Sequence, residues 1–580
     1  MTPPRYFVPP RLRISAVRLV CFFCALAAAP VVMMVGGIWR LHDLHPQLQG
    51  EIKKIYEMRR VIPSHHGTIT DRRGMPLAMS ANLYHAAADP RLLQKANPGH
   101  LRDIAQAVAA VLGLDAEAVY QKINGASAFV SLKKKVPPVE AAKLRAMNIK
   151  GLFASYDSSR FYPGREMAAP LVGYVNDKGY GQGVEFMMAK RLGAEDGEVH
   201  AARTSKGSVV KEFSLRPAKH GGVLKLAIDS RLQAAAYNAA VRALRKHNAR
   251  AVSAAVMDAQ NGDILALASA PSFNPNNIQS GDLRGGREVT KNRVIADLVE
   301  CGSLAKPFVV ALALELQLAQ EDEILPTATA VRVGVLRVRD SHIREDVSVA
   351  EVLTRSSNIG AYLLARRVGE KHYYDFLRAV GFGGGKTILG LHGEAGGAVR
   401  HYSKWRREDF ATHAYGYGFN ATLLELLRAY SVFATDGFLL QPQLSPGGEV
   451  VRQRVLSAQT ARRVRNIMSG VTEGTAKMAS VPGYKIAGKT GTAKKFVNGA
   501  YSDTLKRAFF VGMAPAAKPR YVIAVMVDEP RKNGESGGTS AAPVFSDIMR
   551  RALVINGIAP YGEKQGENQG NNQGEDGNAV

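Results

Sequence analysis

The sequence predicts a multidomain α+β protein: one N-terminal membrane-spanning helix, an α+β region, and an α/β sandwich built on an antiparallel sheet. Three observations carry this reading. At 580 residues the chain is too long for one compact domain, so two or three are expected. The run from Leu19 to Trp39 contains no charged residue. Apolar strand-like runs at Ala251–Asp258, Asp263–Ser269, Phe509–Met513 and Tyr521–Val527 flank stretches of helical character, the pattern of helices laid on a sheet.

The apolar run comes first. Its 21 residues rise about 1.5 Å each, roughly 30 Å in all, which matches the hydrocarbon core of a bilayer. Arg5, Arg11, Arg13 and Arg18 precede it with no acidic residue among them, while Arg40, Asp43, Glu51, Lys53 and Lys54 after it are mixed in sign. The positive-inside rule then keeps residues 1–18 cytoplasmic and exports the rest. The rival is a cleaved signal peptide, with Ala27-Ala28-Ala29 as the small-residue site. Pro30 directly after that site and the length of the run favour an uncleaved anchor.

Residues 40–225 read as the α+β region. Thr68 to Gly74 has the form of a strand running into a turn, Leu101 to Leu114 has helical apolar spacing, and Val223 to Ile228 alternates like a strand. Residues 226–558 read as the sandwich, with Asn261-Gly262 between two apolar runs as a hairpin signal. The tail, 559–580, is Gly, Asn, Gln and Glu from Tyr561 onward and cannot bury a core.

The formal net charge of +26 favours anionic partners but does not select one. Zinc-finger spacing and RNA-binding aromatic signatures are absent, which argues against nucleic acid. Cys21 and Cys24 fall in the apolar run, so Cys301 stands alone in the body and no disulfide is expected there. With no His partner evident, Cys301 reads as a packed small residue. His65-His66 lacks any accompanying ligand motif, so no metal is expected.

A serine nucleophile needs a base, a proton path and an oxyanion site. Ser303-Leu304-Ala305-Lys306 supplies the first two, because residues three apart on a helix share a face. A free lysine, with a pKa near 10.4, is a poor base at neutral pH; burial or a second cation would lower it. The pattern is weak alone, since Ser131-Leu132-Lys133-Lys134 also fits. Ser356-Ser357-Asn358 and Lys489-Thr490-Gly491-Thr492 follow in order, and K-T-G occurs once. Ser80-Ala81-Asn82 and Ser272-Phe273-Asn274 also fit S-x-N. Only the set at 303, 356 and 489 sits at a helix start, a helix-connecting turn and a Gly-flanked strand.

This ordered set resembles the signature of penicillin-binding proteins and serine β-lactamases. Lys291 to Asp297 leading into Glu300-Cys301-Gly302-Ser303 is similar to the class B penicillin-binding proteins. So is Glu473-Gly474-Thr475-Ala476 followed by Pro482-Gly483-Tyr484. Tyr415-Gly416-Tyr417-Gly418 and Ser540 to Phe545 resemble the division-specific branch. Gly67 to Arg72 and the stretch from Gly183-Val184-Glu185 to Gly197 resemble that family's pedestal domain. Two positions depart from the family pattern: His66 stands where Arg is usual, and Cys301 where Pro is usual.

The resemblance implies a peptidoglycan D,D-transpeptidase acting in septal wall synthesis, with an elongation-type transpeptidase, a D,D-carboxypeptidase, a β-lactamase or an inactive scaffold as rivals. Under it, Ser303 attacks a stem peptide ending in D-Ala-D-Ala and Lys306 is the general base. Ser356 passes a proton to the leaving amine, Lys489 tunes the field, and Asn358 holds Lys306 and the substrate amide. Thr490, Gly491 and Thr492 bind substrate, and the backbone N–H groups of Ser303 and Thr492 form the oxyanion hole. The implied partners are stem peptides, β-lactams as covalent inhibitors, the bacterial inner membrane, and divisome proteins including a glycosyltransferase. No cofactor is implied.

Overall fold

The fold is that of a computed structural model, which describes residues 16–560 apart from 63, 176–180, 204–208, 279–287, 342 and 386. The N-terminal residues up to 15 and the tail from 561, both assigned above from sequence, lie outside the described residues. The chain forms two compact units, Met1–His65 with Ala194–His220, and His66–Gly193 with Gly221–Val580.

The first unit opens with a helix over Ala16–Tyr56. Its stretch Ala16–Leu44 is long and apolar enough to cross a membrane. The expected span, Leu19 to Trp39, lies inside it. Three antiparallel strands follow, Glu57–Ile62 beside Gly197–Arg203 beside Val209–Arg216. His65 stacks on His220, with ring centroids 5.0 Å apart.

In the second unit, residues 66–193 build a sheet in which Pro76–Ala88 pairs with Val130–Val136 and Leu152–Phe161. Helices Leu101–Leu112, Ala116–Ile123 and Pro138–Ala146 pack on it through Ile104, Val108, Val119 and Leu144. The helix expected from Leu101 ends at Leu112 because Gly113 takes a left-handed conformation that closes it. The alternating run Val223–Ile228 forms ladder only at Leu224–Lys225, parallel to Ile69–Thr70. It is cut short because Asp229 accepts a hydrogen bond from the N–H of Arg231 and starts the next helix. Asp71, in the turn after Thr70, accepts from Ser230 Oγ (2.6 Å) and from the N–H groups of Arg73 and Met75 (2.8 Å each), tying this turn to that helix.

The rest of the unit is one antiparallel sheet with helices on both faces. Its strands are β1 (Ala251–Asp258), β2 (Ile264–Ala270), β3 (Ala487–Val497), β4 (Ala500–Ala514) and β5 (Tyr521–Asp528), in the order β2-β1-β5-β4-β3. The Asn261-Gly262 hairpin joins β1 to β2, with Gly262 at φ +81°. Strand side chains alternate in face, as a period of two requires. Val252, Val256, Phe510, Ile523 and Val525 meet helices α1 (Ser230–Lys246) and α5 (Ala542–Ile555). Ala255, Met257, Phe509, Val511 and Val522 face α2 (Lys306–Glu315), α3 (Asn358–Val368) and α4 (Leu423–Ala434). Both faces being covered explains why β1, β2 and β5 are buried at every residue and read as continuous apolar runs.

Helix α2 is the buried axis of the second layer. Every residue from Lys306 to Leu314 is buried. Phe308 sits among the rings of Phe382, Tyr430 and Phe433, with centroids 5.3–5.5 Å away. Truncating such a ring costs about 3–5 kcal/mol.

Candidate active site

Ser303 lies on a single 3-10 turn, Gly302–Ala305, which runs into α2 at Lys306. The sequence suggested an α-helix here. A 3-10 turn has three residues per turn, so positions i and i+3 eclipse, and Ser303 and Lys306 share a face more closely than on an α-helix. Three contacts hold the turn. The Leu304 carbonyl accepts from Tyr430 Oη at 2.9 Å, and the Gly302 N–H donates to the Gly416 carbonyl at 2.9 Å. Gly302 has φ +54°, and a Cβ on Gly416 would fall 2.0 Å from the Gly302 carbonyl oxygen, so the Tyr415–Gly418 loop can lie against the turn only with glycine there. Strand β3 closes the other side: a Cβ on Gly491 would come within 2.9 Å of Leu304 Cγ and 3.2 Å of the Cys301 carbonyl.

Ser356 connects helix Val349–Thr354 to α3 and has φ +64°, an uncommon conformation for a side-chain-bearing residue. That turn aims its carbonyl at Lys306. Lys306 Nζ donates to the Ser356 carbonyl at 2.5 Å and to Ser356 Oγ at 3.2 Å. Asp340, a residue that sequence reasoning missed, sits beneath the turn. Its buried carboxylate accepts from Ser357 Oγ (2.5 Å), from the Asn358 N–H (2.5 Å) and from the Ile359 N–H (3.2 Å). An isolated Asp 37 residues from Ser303 gives no motif to find it by.

Lys306 and Lys489 are both buried. Burial pushes the Lys306 amine well down, the nearby Lys489 charge pushes it further, and Asp340 opposes. Lys489 is lowered by burial to about 7. For Lys306 the shift favours the neutral amine, the form in which a lysine can accept a proton. Lys489 Nζ donates to the Thr490 carbonyl at 3.3 Å, and Thr490 Oγ1 donates to Thr475 Oγ1 at 3.2 Å.

Ser303, Ser356, Asn358, Thr490 and Thr492 line one cleft of about 670 Å³. Gly302 and Thr492 are adjacent, since a Cβ on Gly302 would lie 3.1 Å from the Thr492 carbonyl. Two expected contacts take another form. Lys306 donates to Ser356, and Ser303 Oγ makes no hydrogen bond among the described residues. Asn358 Nδ2 donates to the Arg339 carbonyl at 3.1 Å, so Ser356 rather than Asn358 holds Lys306. Cys301 is fully buried with its thiol pushed well up by burial, which leaves it a poor nucleophile.

The decoy motifs lie elsewhere. Ser131 is on strand Val130–Val136 with its hydroxyl 2.7 Å from His85 Nε2, and Ser272 Oγ donates to the Glu166 carbonyl.

A cleft serine three positions before a buried lysine, with that lysine bonded to a second serine and near another buried lysine, is the arrangement expected of a serine acyltransferase that uses lysine in place of histidine. Comparison with known proteins makes this specific. Residues 252–550 match the penicillin binding protein transpeptidase domain and residues 61–226 the penicillin-binding protein dimerisation domain. The chain is 34% identical to the probable peptidoglycan D,D-transpeptidase PenA of Neisseria meningitidis, over 86% of each chain. It is 31% identical to the peptidoglycan D,D-transpeptidase FtsI of Escherichia coli, over 93% of this chain and 92% of that one. Penicillin binding protein 3 of Mycobacterium tuberculosis, solved in complex with ampicillin, superposes with a TM-score of 0.66 at 27% identity, covering 87% of this chain and 98% of that one. The chain belongs to the class B penicillin-binding proteins.

Proposed function

We propose that this protein crosslinks septal peptidoglycan as a D,D-transpeptidase and is a target of β-lactams. The observation that carries the reading is the buried Lys306–Lys489 pair, with Lys306 bonded to Ser356 in the cleft that holds Ser303. Likeness to FtsI and PenA supports the septal assignment over an elongation role.

Ser303 Oγ attacks the penultimate D-Ala carbonyl of the donor stem peptide. Lys306, uncharged, takes the hydroxyl proton. Ser356, which bonds Lys306, relays a proton to the leaving D-Ala amine. The N–H groups of Ser303 and Thr492 hold the oxyanion, and losing one such donor costs about 2.7–4 kcal/mol. Thr490 and Thr492 receive the terminal carboxylate, Gly491 lets β3 approach, and Asn358 meets the substrate amide. An acceptor amine then releases the acyl-enzyme.

The reading extends to place. Residues 1–18 lie in the cytoplasm, 19–39 cross the inner membrane, 40–225 form the pedestal and 226–558 the periplasmic transpeptidase domain, followed by a tail at 559–580. The arginines before the helix support the orientation. Divisome proteins, among them a glycosyltransferase that supplies the glycan, are the partners.

The test is fluorescent penicillin applied to dividing cells that carry the wild type or Ser303→Ala. Stable label at the division site with the wild type and none with the variant is expected. Equal labelling of the two would sink the Ser303 assignment, and uniform side-wall label would overturn the septal one.

A further inference from the structure

A second recess opens off the catalytic cleft. It has a volume of about 410 Å³ and shares Tyr415, Tyr417 and Lys494 with the cleft that holds Ser303. Its walls are aromatic and apolar: Tyr417 and Tyr501 meet edge to face with centroids 5.5 Å apart, and Leu336 lies opposite.

Its polar groups differ in how they are compensated. Asp409 is taken up by Arg400 at 3.2 Å and by the Arg406 N–H at 3.1 Å. Lys494 Nζ is paired with Asp503. Glu408 makes no ion pair among the described residues; hydrogen bonds from its own N–H and from the Val335 N–H (3.2 Å), with the Arg406 charge adding to them, favour its charged form. Behind the recess, Glu300 Oε1 accepts from Tyr501 Oη (2.9 Å) and from the Gly418 N–H (2.7 Å), again with no ion pair among the described residues. In a chain of net charge +26, a carboxylate outside any ion pair among the described residues, lining a recess that adjoins the cleft of Ser303, is an unusual placement.

The reaction supplies a reason. Acyl transfer to an amine uses two peptides, and the buried lysines and the Thr490 and Thr492 hydroxyls serve the anionic donor. The second peptide brings a primary amine, a cation in water, to the face of the acyl group. Resting on the transpeptidase reading, we infer that the recess walled by Tyr415, Tyr417 and Tyr501 is the acceptor subsite, and that Glu408 binds the ammonium group of the acceptor stem peptide.

Glu408 holds the ammonium until one proton passes to water. The free amine then attacks the Ser303 ester carbon. The new C–N bond forms, the C–Oγ bond breaks, and the second amine proton returns through Ser356 and Lys306 to Ser303 Oγ. The products are an amide, the free serine and one released proton. Without a bound amine the same ester falls to water, so the recess sets how acyl groups divide between crosslinking and hydrolysis.

The experiment uses the full-length protein in detergent, a thioester analogue of the donor peptide, and a diamino-acid dipeptide as acceptor. It reads the ratio of aminolysis to hydrolysis. Glu408→Gln preserves the shape and an acceptor for the Val335 N–H, and is expected to lower that ratio about tenfold, with Glu408→Asp recovering part of it. Penicillin acylation of Ser303 is measured on the same samples, since it reports folding and the donor half-reaction. An unchanged ratio with normal acylation would overturn the acceptor subsite and leave the transpeptidase reading standing. No acylation of the wild type would overturn the transpeptidase reading itself. If Glu408→Gln alone fails to acylate, Tyr417→Phe and Tyr501→Leu carry the same ratio test, and an unchanged ratio in both also counts against the subsite.

Discussion

At the scale of single residues, the site depends on burying two like charges. Lys489 is lowered to about 7, while an exposed lysine stays near 10.5. Between those pH values the unfolded chain holds a proton that the folded chain has shed, so this group makes stability rise with pH across the window. Below about 7 both states are protonated, and the full cost of burying the cation remains. Lys489→Met removes that cost. It is expected to abolish penicillin acylation while stabilising the fold at pH 6 by about 1–3 kcal/mol, read from thermal unfolding. A lower melting temperature would mean that the contacts of the Lys489 amine outweigh its burial. The Ser303–Lys306, Ser356–Asn358 and Lys489–Thr492 motifs were legible in the sequence because each is local along the chain. Asp340 and Glu408 were not. Each acts on the site only through the fold, Asp340 by accepting from the turn after Ser356 and Glu408 by lining a recess beside the Tyr415–Gly418 loop.

At the scale of elements, Ser303 is held by packing on both sides of a short turn. Tyr430 of α4 fixes one carbonyl, the Gly416 loop fixes one N–H, and β3 presses from the edge of the sheet. Gly491→Ala would drive a methyl into Leu304 and the Cys301 carbonyl. Overpacking of this kind costs about 1–3 kcal/mol. The expected outcome is a penicillin acylation rate lowered at least tenfold with the protein still folded, measured by stopped-flow labelling beside thermal unfolding. Unchanged acylation would show that the turn tolerates displacement. Strand and helix existence was readable from period-two and period-3.6 patterns. The 3-10 geometry at Ser303 and the early end of the Leu224–Lys225 strand were not, because hydrogen bonds from distant residues decide both.

At the scale of the molecule, the N-terminal helix and the catalytic sheet lie in different compact units. The stretch Ala16–Leu44 of that helix is long and apolar enough to cross a membrane. Deleting residues 1–44 is expected to move the protein to the soluble fraction while penicillin acylation stays within about twofold, because the residues around Ser303 belong to the other compact unit. Loss of acylation in a soluble, folded product would show that the anchor supports the site.

The sequence by itself determined the membrane-length helix, the strands of the sheet and the order of the three motifs, since each is written in residues close along the chain. The tertiary structure alone decided what those residues become chemically. The Lys306 amine is held well below the usual lysine range first by its own burial and then by the charge of Lys489, 183 positions away along the chain. The acceptor recess exists only where the Tyr415–Gly418 loop, the β3–β4 hairpin and the first turn of helix Arg407–Ala414 converge. Desolvation and cavity shape depend on neighbours in space, and spacing along a sequence does not record them.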